Sequence, residues 1–451
     1  MMKRNLIFPV AAVLLLIIVG YPAGAWYAGK QMEATLEDEY KSLHEFAPVI
    51  TVSDRQFKRG IFSSEEKATL SITLAPGTPP LRLAVVSHMK HLPFPGIFAL
   101  QAVAVDSEVA LAGDSLPNAA EWTGNQNVAT VHTVQYFSGN GKSTLTLPAF
   151  NTDKLSSEQG TLSIKYAKGM SSYSMEGNLP RFAIIDKAKG GRFQVSGVQV
   201  SADHKRFLAG TPSLYSGSDH VVIEQIDMSG PGMPTEPGFI KHMTVDVAAT
   251  ASNDNEFVDI TEKFGLGSLK VVGKDYGPAQ FDLSFHHLHA KTVASLAQGN
   301  WAAAEKSPAM VAQFMEALLS HNPELTIDKF SFTRPEGETV ISALFKLKDA
   351  QPGEFSNPMV LMTKGYVSVD FKMPEKLLAE FGQGMFAAAV NQGGGVDKVL
   401  ESMLAAGYVT REDGFIKTKF EFHDAAPWFN GKPYVQAPRQ IPSVPAPHRR
   451  R

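Results

Sequence analysis

Apolar and polar residues alternate along much of the chain between residues 48 and 289. Successive residues of a β-strand point to opposite faces of a sheet, so this pattern predicts half-buried strands. Turn-forming segments such as 138–141 and 229–232 separate them, as is typical of antiparallel hairpins. The predicted strands are 49–52, 68–74, 81–89, 128–137, 143–147, 161–166, 173–179, 193–200, 220–228 and 243–250. This region is therefore predicted to form a large, mostly antiparallel β-sheet that is either elongated or curled.

The period of the pattern changes near Ala290. Between residues 309 and 320, apolar residues recur at positions i, i+3, i+4 and i+7, which places them on one face of a helix. Further helices are predicted at 290–298, 377–390 and 396–406, and strands at 325–332, 339–347, 366–373 and 415–422. Asp413-Gly414 is a strong turn signal before the last strand. The expected fold class is α+β, with a helix-rich C-terminal part.

The first apolar run, residues 6–27, is long enough to cross a bilayer as a helix. A secretory signal would be cleaved after the small residues 23–25. A retained transmembrane helix would instead place the aromatic residues 26–27 at the headgroup layer. A helix buried in a soluble core is a third interpretation, but no polar stripe breaks the run. Because the run continues past residues 23–25, the retained anchor is favoured.

Charge predicts the orientation of this anchor. Lys3 and Arg4 precede it and the acidic residues 37–39 follow it, so the positive-inside rule places the N-terminus in the cytoplasm and the body outside. The predicted division is 1–29 for the cytoplasmic tip and anchor, 30–47 for a polar stalk helix, 48–289 for the β-rich domain, 290–435 for the C-terminal domain, and 436–451 for a disordered tail rich in proline and arginine. The tail either contacts anionic headgroups or only keeps the end soluble.

Composition excludes several classes of function. The 451 residues carry a net charge of -3 at pH 7 without a concentrated basic face, which argues against a nucleic-acid partner. The chain has no cysteine, so disulfides, thiolate metal sites, a cysteine nucleophile and a lipidated cysteine are all excluded. The glycine-rich segments 265–267 and 393–395 lack the pattern of a phosphate-binding loop. No cofactor is predicted.

The histidines are the main candidates for a metal or catalytic site, and the densest group is His286, His287 and His289. On an extended strand, His287 and His289 would share one face while His286 would point to the other. Two ring nitrogens would then converge, whereas zinc usually takes three or four protein ligands. His287 and His289 are therefore weak candidates. The chain contains no G-x-S-x-G elbow, and no motif predicts an enzyme.

Four short stretches follow one another in a fixed order over nearly the whole chain: 24–30, 59–64, 91–95 and 430–433. With the anchor, they resemble the YdgA/YihF family of bacterial envelope proteins, a family of unknown function. Where that family reads His-Gly-Pro, this chain has Leu92, which disfavours the left-handed backbone that glycine allows. We expect structural roles, in turns and stiff connections, for the family-motif residues Arg59, Gly60, Phe62, His91, Pro93, Asn430 and Gly431.

The resemblance implies a protein of the bacterial inner membrane with a large periplasmic body, and it brings no known activity. The leading hypothesis is a non-enzymatic binding or envelope-maintenance module whose sheet forms an apolar groove that holds lipid. One alternative is a periplasmic hydrolase centred on the histidines. Another is a scaffold or assembly factor that forms homo-oligomers through the amphipathic helices 309–320 and 377–406.

Overall fold

The computed structural model describes residue 33 and most of residues 49–434. The internal segments outside the description are 74–78, 92–100, 114, 116–118, 188–189, 209–213, 232–237, 272–273, 299–312, 314–315, 352, 355–356 and 379–395. The predicted anchor, the predicted tail and the stalk apart from Glu33 also lie outside it. In the described part of the chain, no helix combines the length and the apolar character needed to span a membrane.

The described residues form one sheet of 23 strands. Its first half contains β1 Ile50–Arg59, β2 Ser63–Ile72, β3 Leu81–His91, β4 Gln101–Leu111, β5 Ala129–Tyr136, β6 Gly141–Leu147, β7 Phe150–Asn151, β8 Leu155–Ser157, β9 Gly160–Tyr166, β10 Ser172–Asp186, β11 Gly191–Arg206 and β12 Tyr215–Ser229. Its second half contains β13 Gly238–Ala251, β14 Phe257–Val271, β15 Lys274–Tyr276, β16 Ala279–His289, β17 Glu324–Arg334, β18 Gly337–Leu347, β19 Gly365–Pro374, β20 Thr410–Glu412, β21 Phe415–His423, β22 Ala426–Phe429 and β23 Lys432–Pro433.

Chain order is nearly strand order, and every pairing is antiparallel, because short turns join consecutive strands. The main path runs β1–β2–β3–β4–β5–β6–β9–β10–β11–β12–β13–β14–β16–β17–β18–β19–β21–β22–β23. β8 pairs with β10 beside β9, β7 pairs with β8, and β15 and β20 pair with the ends of β14 and β21. The predicted large, mostly antiparallel sheet is confirmed.

Helices are few among the described residues: α1 Ala119–Thr123, α2 Ala290–Gln298, α3 Pro358–Lys364 and α4 Val396–Ala406. α2 and α4 were predicted. Of the helix predicted at 309–320, residues 313 and 316–320 are described, and 313 and 316–319 are helical; of the helix predicted at 377–390, only 377–378 are described, and both are helical. For the described part of residues 290–435, the prediction of a helix-rich region is wrong. The alternating segments there outnumber the helical ones, and they extend the same sheet, with Leu283 of β16 paired to Ile327 of β17.

One line of irregular residues, the crease row, crosses five neighbouring strands. At this row the ladders skip a residue on both strands, and Gly197 and His242 have φ of 65° and 51°. The apolar positions shift by one across it: in β11 they include Val195 before the row and Val198 after it. A residue that departs from extended geometry changes the face of the sheet to which the following side chains point. The crease row consists of Pro180, Gly197, Glu224, His242 and Gly267.

Buried apolar residues of the described chain gather in small clusters rather than in one continuous core. At the N-terminal end of the sheet, Met89, Val103 and Val105 pack together against Phe57. A second cluster joins α2 to the ends of β11 and β12, and a third joins α4 to β21. The central strands β10–β14 hold mainly half-buried apolar side chains. The tightest packing is thus at the N-terminal strands and beside α2 and α4.

Candidate apolar binding face

A single in-register row of residues, the central row, crosses seventeen strands of the main path. Residues directly opposite each other on antiparallel strands lie on the same face of the sheet. The row consists of Phe57, Glu66, Ser87, Ser107, Val131, Leu145, Leu162, Gly177, Val200, Val221, Val245, Phe264, Phe281, Phe330, Ile341, Phe371 and Thr418. From Val131 to Phe371 it is apolar except for Gly177, and we call this side the apolar face.

The neighbouring row on the other face is polar throughout. It consists of Lys58, Glu65, His88, Asp106, His132, Thr144, Ser163, Glu176, Ser201, His220, Asp246, Lys263 and Asp282. Several members pair across strands: Nδ1 of His132 lies 2.6 Å from Oδ1 of Asp106, and Nδ1 of His220 lies 2.5 Å from Oδ1 of Asp246. A sheet with one wet face and one apolar face normally packs the apolar face on a core.

In the centre of the sheet, the apolar face is not closed. Val200, Val221 and Val245 are only half-buried, and Phe264 and Phe330 remain 39% and 37% exposed. The rings of Phe264, Phe281 and Phe330 follow one another with centroids 6.3 and 6.1 Å apart. These side chains form a continuous apolar surface that a ligand of low polarity could cover.

A group of aromatic and polar side chains, the aromatic belt, lies where β10, β11 and β12 begin or end. Its members are Tyr173, His204, Arg206 and Tyr215. The ring of Tyr173 stacks on His204 with centroids 4.8 Å apart and meets Tyr215 edge-on at 5.3 Å. The pairings of Tyr173 with His204 and of Arg206 with Tyr215 place all four residues on the apolar face, at its edge.

Hydrogen bonds fix part of the belt. His204 lies with Nε2 2.8 Å from Oδ1 of Asp219, Arg206 donates from Nη2 to the Tyr215 hydroxyl at 2.9 Å, and that hydroxyl donates to the Met170 carbonyl at 2.9 Å. Burial, together with the nearby charge of Asp219, raises the pKa of Tyr173 to about 12, so its hydroxyl keeps its proton at neutral pH. The belt therefore offers hydrogen-bond donors beside an apolar surface.

Comparison with protein families gives a match over residues 1–436 to the model of a bacterial protein family of unknown function, DUF945. The chain belongs to the DUF945 family. Protein YdgA of Escherichia coli (strain K12) is 22% identical over 397 residues, which cover 77% of this chain and 76% of YdgA. No solved structure matches the chain. The resemblance inferred from the four sequence stretches is thus confirmed.

In this DUF945 protein, four of the predicted motif residues lie at the N-terminal end of the sheet. Gly60 donates its backbone N–H to the Ser63 carbonyl at 2.8 Å, and His91 donates its backbone N–H to the Phe62 carbonyl at 2.8 Å. Arg59 forms an ion pair with Glu33 at 3.0 Å. Pro93 lies outside the described residues. The turn after β1 is thereby tied to the end of β3.

The side chain of His91 is fully buried on the apolar face, and neither ring nitrogen has a well-formed hydrogen bond to a described group. Burial lowers the pKa of His91, and the charge of Arg59 acts in the same direction, although the Ile61 carbonyl favours the protonated ring. His91 is therefore held towards its neutral form. Its position makes it part of the packed end of the sheet.

Asn430 and Gly431 form the two-residue turn between β22 and β23, both with positive φ. Such a turn matches the twist of a hairpin, and asparagine followed by glycine is its preferred sequence. The Asn430 side chain accepts from the Lys419 backbone N–H at 2.8 Å and donates to the Tyr408 carbonyl at 3.1 Å. These contacts tie the turn to β21 and to the segment after α4.

The structure brings the weak metal candidates His287 and His289 together with His321, but as stacked rings. His287 stacks on Phe257 at 3.9 Å, and His289 stacks on His321 at 4.0 Å. Nδ1 of His287 lies 2.9 Å from the His321 carbonyl, and Nδ1 of His289 lies 2.8 Å from the Thr292 hydroxyl. Parallel rings do not aim their nitrogens at one point. Within the described residues, no three His, Asp or Glu side chains are placed to hold a metal ion.

His286 lies apart from this stack, with Nδ1 3.3 Å from Oδ2 of Asp259. Burial, followed by the neighbouring His321, lowers the pKa of His289. Sequence reasoning missed the aromatic belt, whose members come from three strands. The sequence does place Tyr173, His204 and Tyr215 near strand ends. Only the pairing register of β10, β11 and β12 shows that the three side chains lie side by side.

Proposed function

We propose that this chain is a membrane-anchored periplasmic protein without enzymatic activity, and that it binds the acyl chains of lipids on its apolar face. The observation that carries the proposal is the central row, which stays apolar from Val131 to Phe371 across twelve strands. The predicted anchor at residues 6–27 supports it, because it would hold the sheet beside a source of lipid.

The size of the face supports a binding role. Strands lie about 4.8 Å apart and residues on one face recur about every 6.8 Å, so the central row alone covers roughly 400 Å² over twelve strands. The largest apolar patch of an ordinary soluble monomer is about 300–600 Å² and is often functional, so the central row by itself reaches that size. Covering the open centre with hydrocarbon would remove apolar area from water at a gain of about 25 cal/mol per Å².

The chemistry of the face favours acyl chains over a polar ligand. Valine and phenylalanine side chains in the central row offer no hydrogen bonds, and a buried polar ligand group without a partner costs binding free energy. In the described chain, α4 packs on β21 and α2 packs where β11 ends and β12 begins, and both leave the central row of β11 and β12 half-buried. The described histidines do not favour the alternative of a hydrolase.

The test places a benzophenone amino acid at Val221 or at His220 in the full chain and irradiates intact cells. The two positions are adjacent in β12 but point to opposite faces. We expect lipid adducts, identified by mass, at Val221 and not at His220. The absence of lipid adducts at both Val221 and Val245 would contradict the proposal. A crosslink at Val221 to a second copy of the chain would support the scaffold alternative instead.

A further inference from the structure

The aromatic belt lies at the edge of the apolar face, where a bound amphiphile would change from hydrocarbon to headgroup. Tyr173 and His204 are directly opposite each other, and the next row inward contains Met175, Ala202 and Asp219, of which Asp219 contacts Nε2 of His204. Beyond the belt the strands end, since β11 stops at Arg206. Tyrosine side chains favour positions with one apolar and one wet side, as at a membrane surface.

Arg206 is a cation that has no counter-ion in the described part of the chain. Among the described residues, its side chain has no carboxylate within ion-pair distance, and its polar contact is the hydrogen bond to the Tyr215 hydroxyl. Its guanidinium also lies 5.4 Å from the centre of the Tyr215 ring. Its buried Nε atom has no hydrogen-bond partner among the described residues. An unpaired donor on a half-buried cation is costly, and an anion that accepted from this donor would remove the cost.

Two further groups of the belt have unused hydrogen-bonding capacity. His204 is only 9% exposed, and its buried Nδ1 atom has no partner among the residues that the structure describes, while Nε2 faces Asp219. The Tyr173 hydroxyl has no hydrogen-bond partner among the described residues. The centroids of the three rings lie within 6.3 Å of one another, so these groups are close together beside Arg206.

We infer that the aromatic belt binds the phosphate group of an amphiphile whose acyl chain lies on the apolar face. Arginine donates to phosphate oxygens through several N–H groups in a fixed fork, which suits it to this ligand. The Tyr173 hydroxyl, which keeps its proton, donates a further hydrogen bond. This inference rests on the proposed function and adds the headgroup class and the position of the headgroup on the sheet.

The test compares the full chain with Arg206→Gln and with Lys205→Gln. Lys205 is an exposed cation one position away on the opposite face, so its replacement removes the same charge outside the belt. Purified protein in neutral detergent is titrated with a phosphatidic acid and with a diacylglycerol of the same acyl chains. We expect the phosphate-bearing lipid to bind about tenfold more tightly, and this preference to disappear in Arg206→Gln and to persist in Lys205→Gln.

Two more variants separate recognition from folding. Arg206→Lys keeps the charge but loses the fork, so we expect an intermediate preference. Tyr173→Phe keeps the stacked ring and loses only the hydroxyl, so we expect a smaller loss of the preference. Equal binding of both lipids by the parent chain would overturn the inference and leave the proposed function standing. Binding of neither lipid would overturn the proposed function itself.

Inorganic phosphate distinguishes a headgroup site from a free-anion site. We expect inorganic phosphate alone to compete only weakly with the phosphatidic acid, because it lacks the acyl chain. If inorganic phosphate binds as tightly as the lipid and depends equally on Arg206, the belt is a site for free anions and the inference is wrong.

Discussion

The N-terminal end of the sheet and its centre have the same alternating pattern but opposite degrees of closure. At the N-terminal end, the apolar-face side chains of Met89 and His91 are 1% and 0% exposed. In the centre, Val221 is half-buried and Phe264 is 39% exposed. Because both regions alternate in the same way, alternation produces an apolar face but does not determine what covers that face. The closed end acts as a core, and the open centre is available for a ligand.

At the closed end, the central row also includes buried polar side chains. Glu66, on the central row, is 1% exposed and forms an ion pair with Arg55. Ser87 and Ser107 share a hydrogen bond at 2.8 Å on the same row. A buried polar group is tolerated when it has a partner. In the centre, the row between Val131 and Phe371 avoids this cost by excluding polar side chains.

The largest expected difference comes from placing a charge on each part of the apolar face. Val105→Asp would bury an unpaired carboxylate in the closed end and lower the free energy of unfolding by about 4 kcal/mol. Val221→Asp would leave its carboxylate partly in water, with a loss of about 1 kcal/mol or less, but would abolish lipid adducts at Val245. Urea unfolding followed by tryptophan fluorescence measures the first effect. Equal destabilisation by the two variants would contradict the conclusion that the N-terminal end of the apolar face is closed and its centre is open.

A smaller loss of unfolding free energy is expected from a substitution at Gly217. This glycine lies in the open centre, at a position where the backbone leaves no room for a side chain. A Cβ atom at Gly217 would lie 1.9 Å from the Asp203 carbonyl oxygen, and the residue has φ of 146°. Gly217→Ala should therefore lower the free energy of unfolding by about 2 kcal/mol. At Gly113, after β4, a Cβ atom would meet no atom within 4 Å. Gly113→Ala is the matched control, and a similar loss in both variants would refute the steric explanation.

The smallest expected effect is a pH dependence that belongs to the closed end. Because burial lowers the pKa of His91 below the histidine value of about 6.5 that applies to the unfolded chain, the unfolded state binds the proton more readily. Stability should be fully present above that value and should fall as the pH drops through it towards the lower folded pKa. His91→Gln should reduce this slope between pH 7.5 and 5.5, as measured by urea midpoints.

The same measurement on His88→Gln controls for the removal of a histidine, since His88 lies on the polar face of the same strand. An unchanged slope in His91→Gln would show that His91 does not contribute to the acid sensitivity.

Much of the strand architecture could be predicted, because alternation is local. The strands at 173–179, 193–200 and 243–250 were each found within a longer observed strand. β4, β14 and β16 were missed. In β14, Gly265 and Gly267 interrupt the alternation, and in β16 the histidines obscure it. Pairing with neighbours on both sides holds these segments in the sheet despite their weak local pattern.

The candidate site shows where local reasoning fails. For His287 and His289, an extended strand was assumed, but His287 has φ of 59° at a bulge opposite Asp259. The bulge places its ring on Phe257 and leaves the histidines stacked. The C-terminal part was expected to be rich in helices because segments such as 396–406 have a clear helical period. Pairing of β16 with β17 instead continues the sheet through that part of the chain.

Amphipathic antiparallel strands could be predicted from the sequence alone, because successive side chains of a strand point to opposite faces of the sheet. It also indicated the family, through four short stretches, although overall identity to YdgA is only 22%. Only the tertiary structure decided the register that aligns Val131 with Phe371 across twelve strands and brings Tyr173, His204 and Arg206 together. Register depends on pairing between distant segments, which no local pattern specifies.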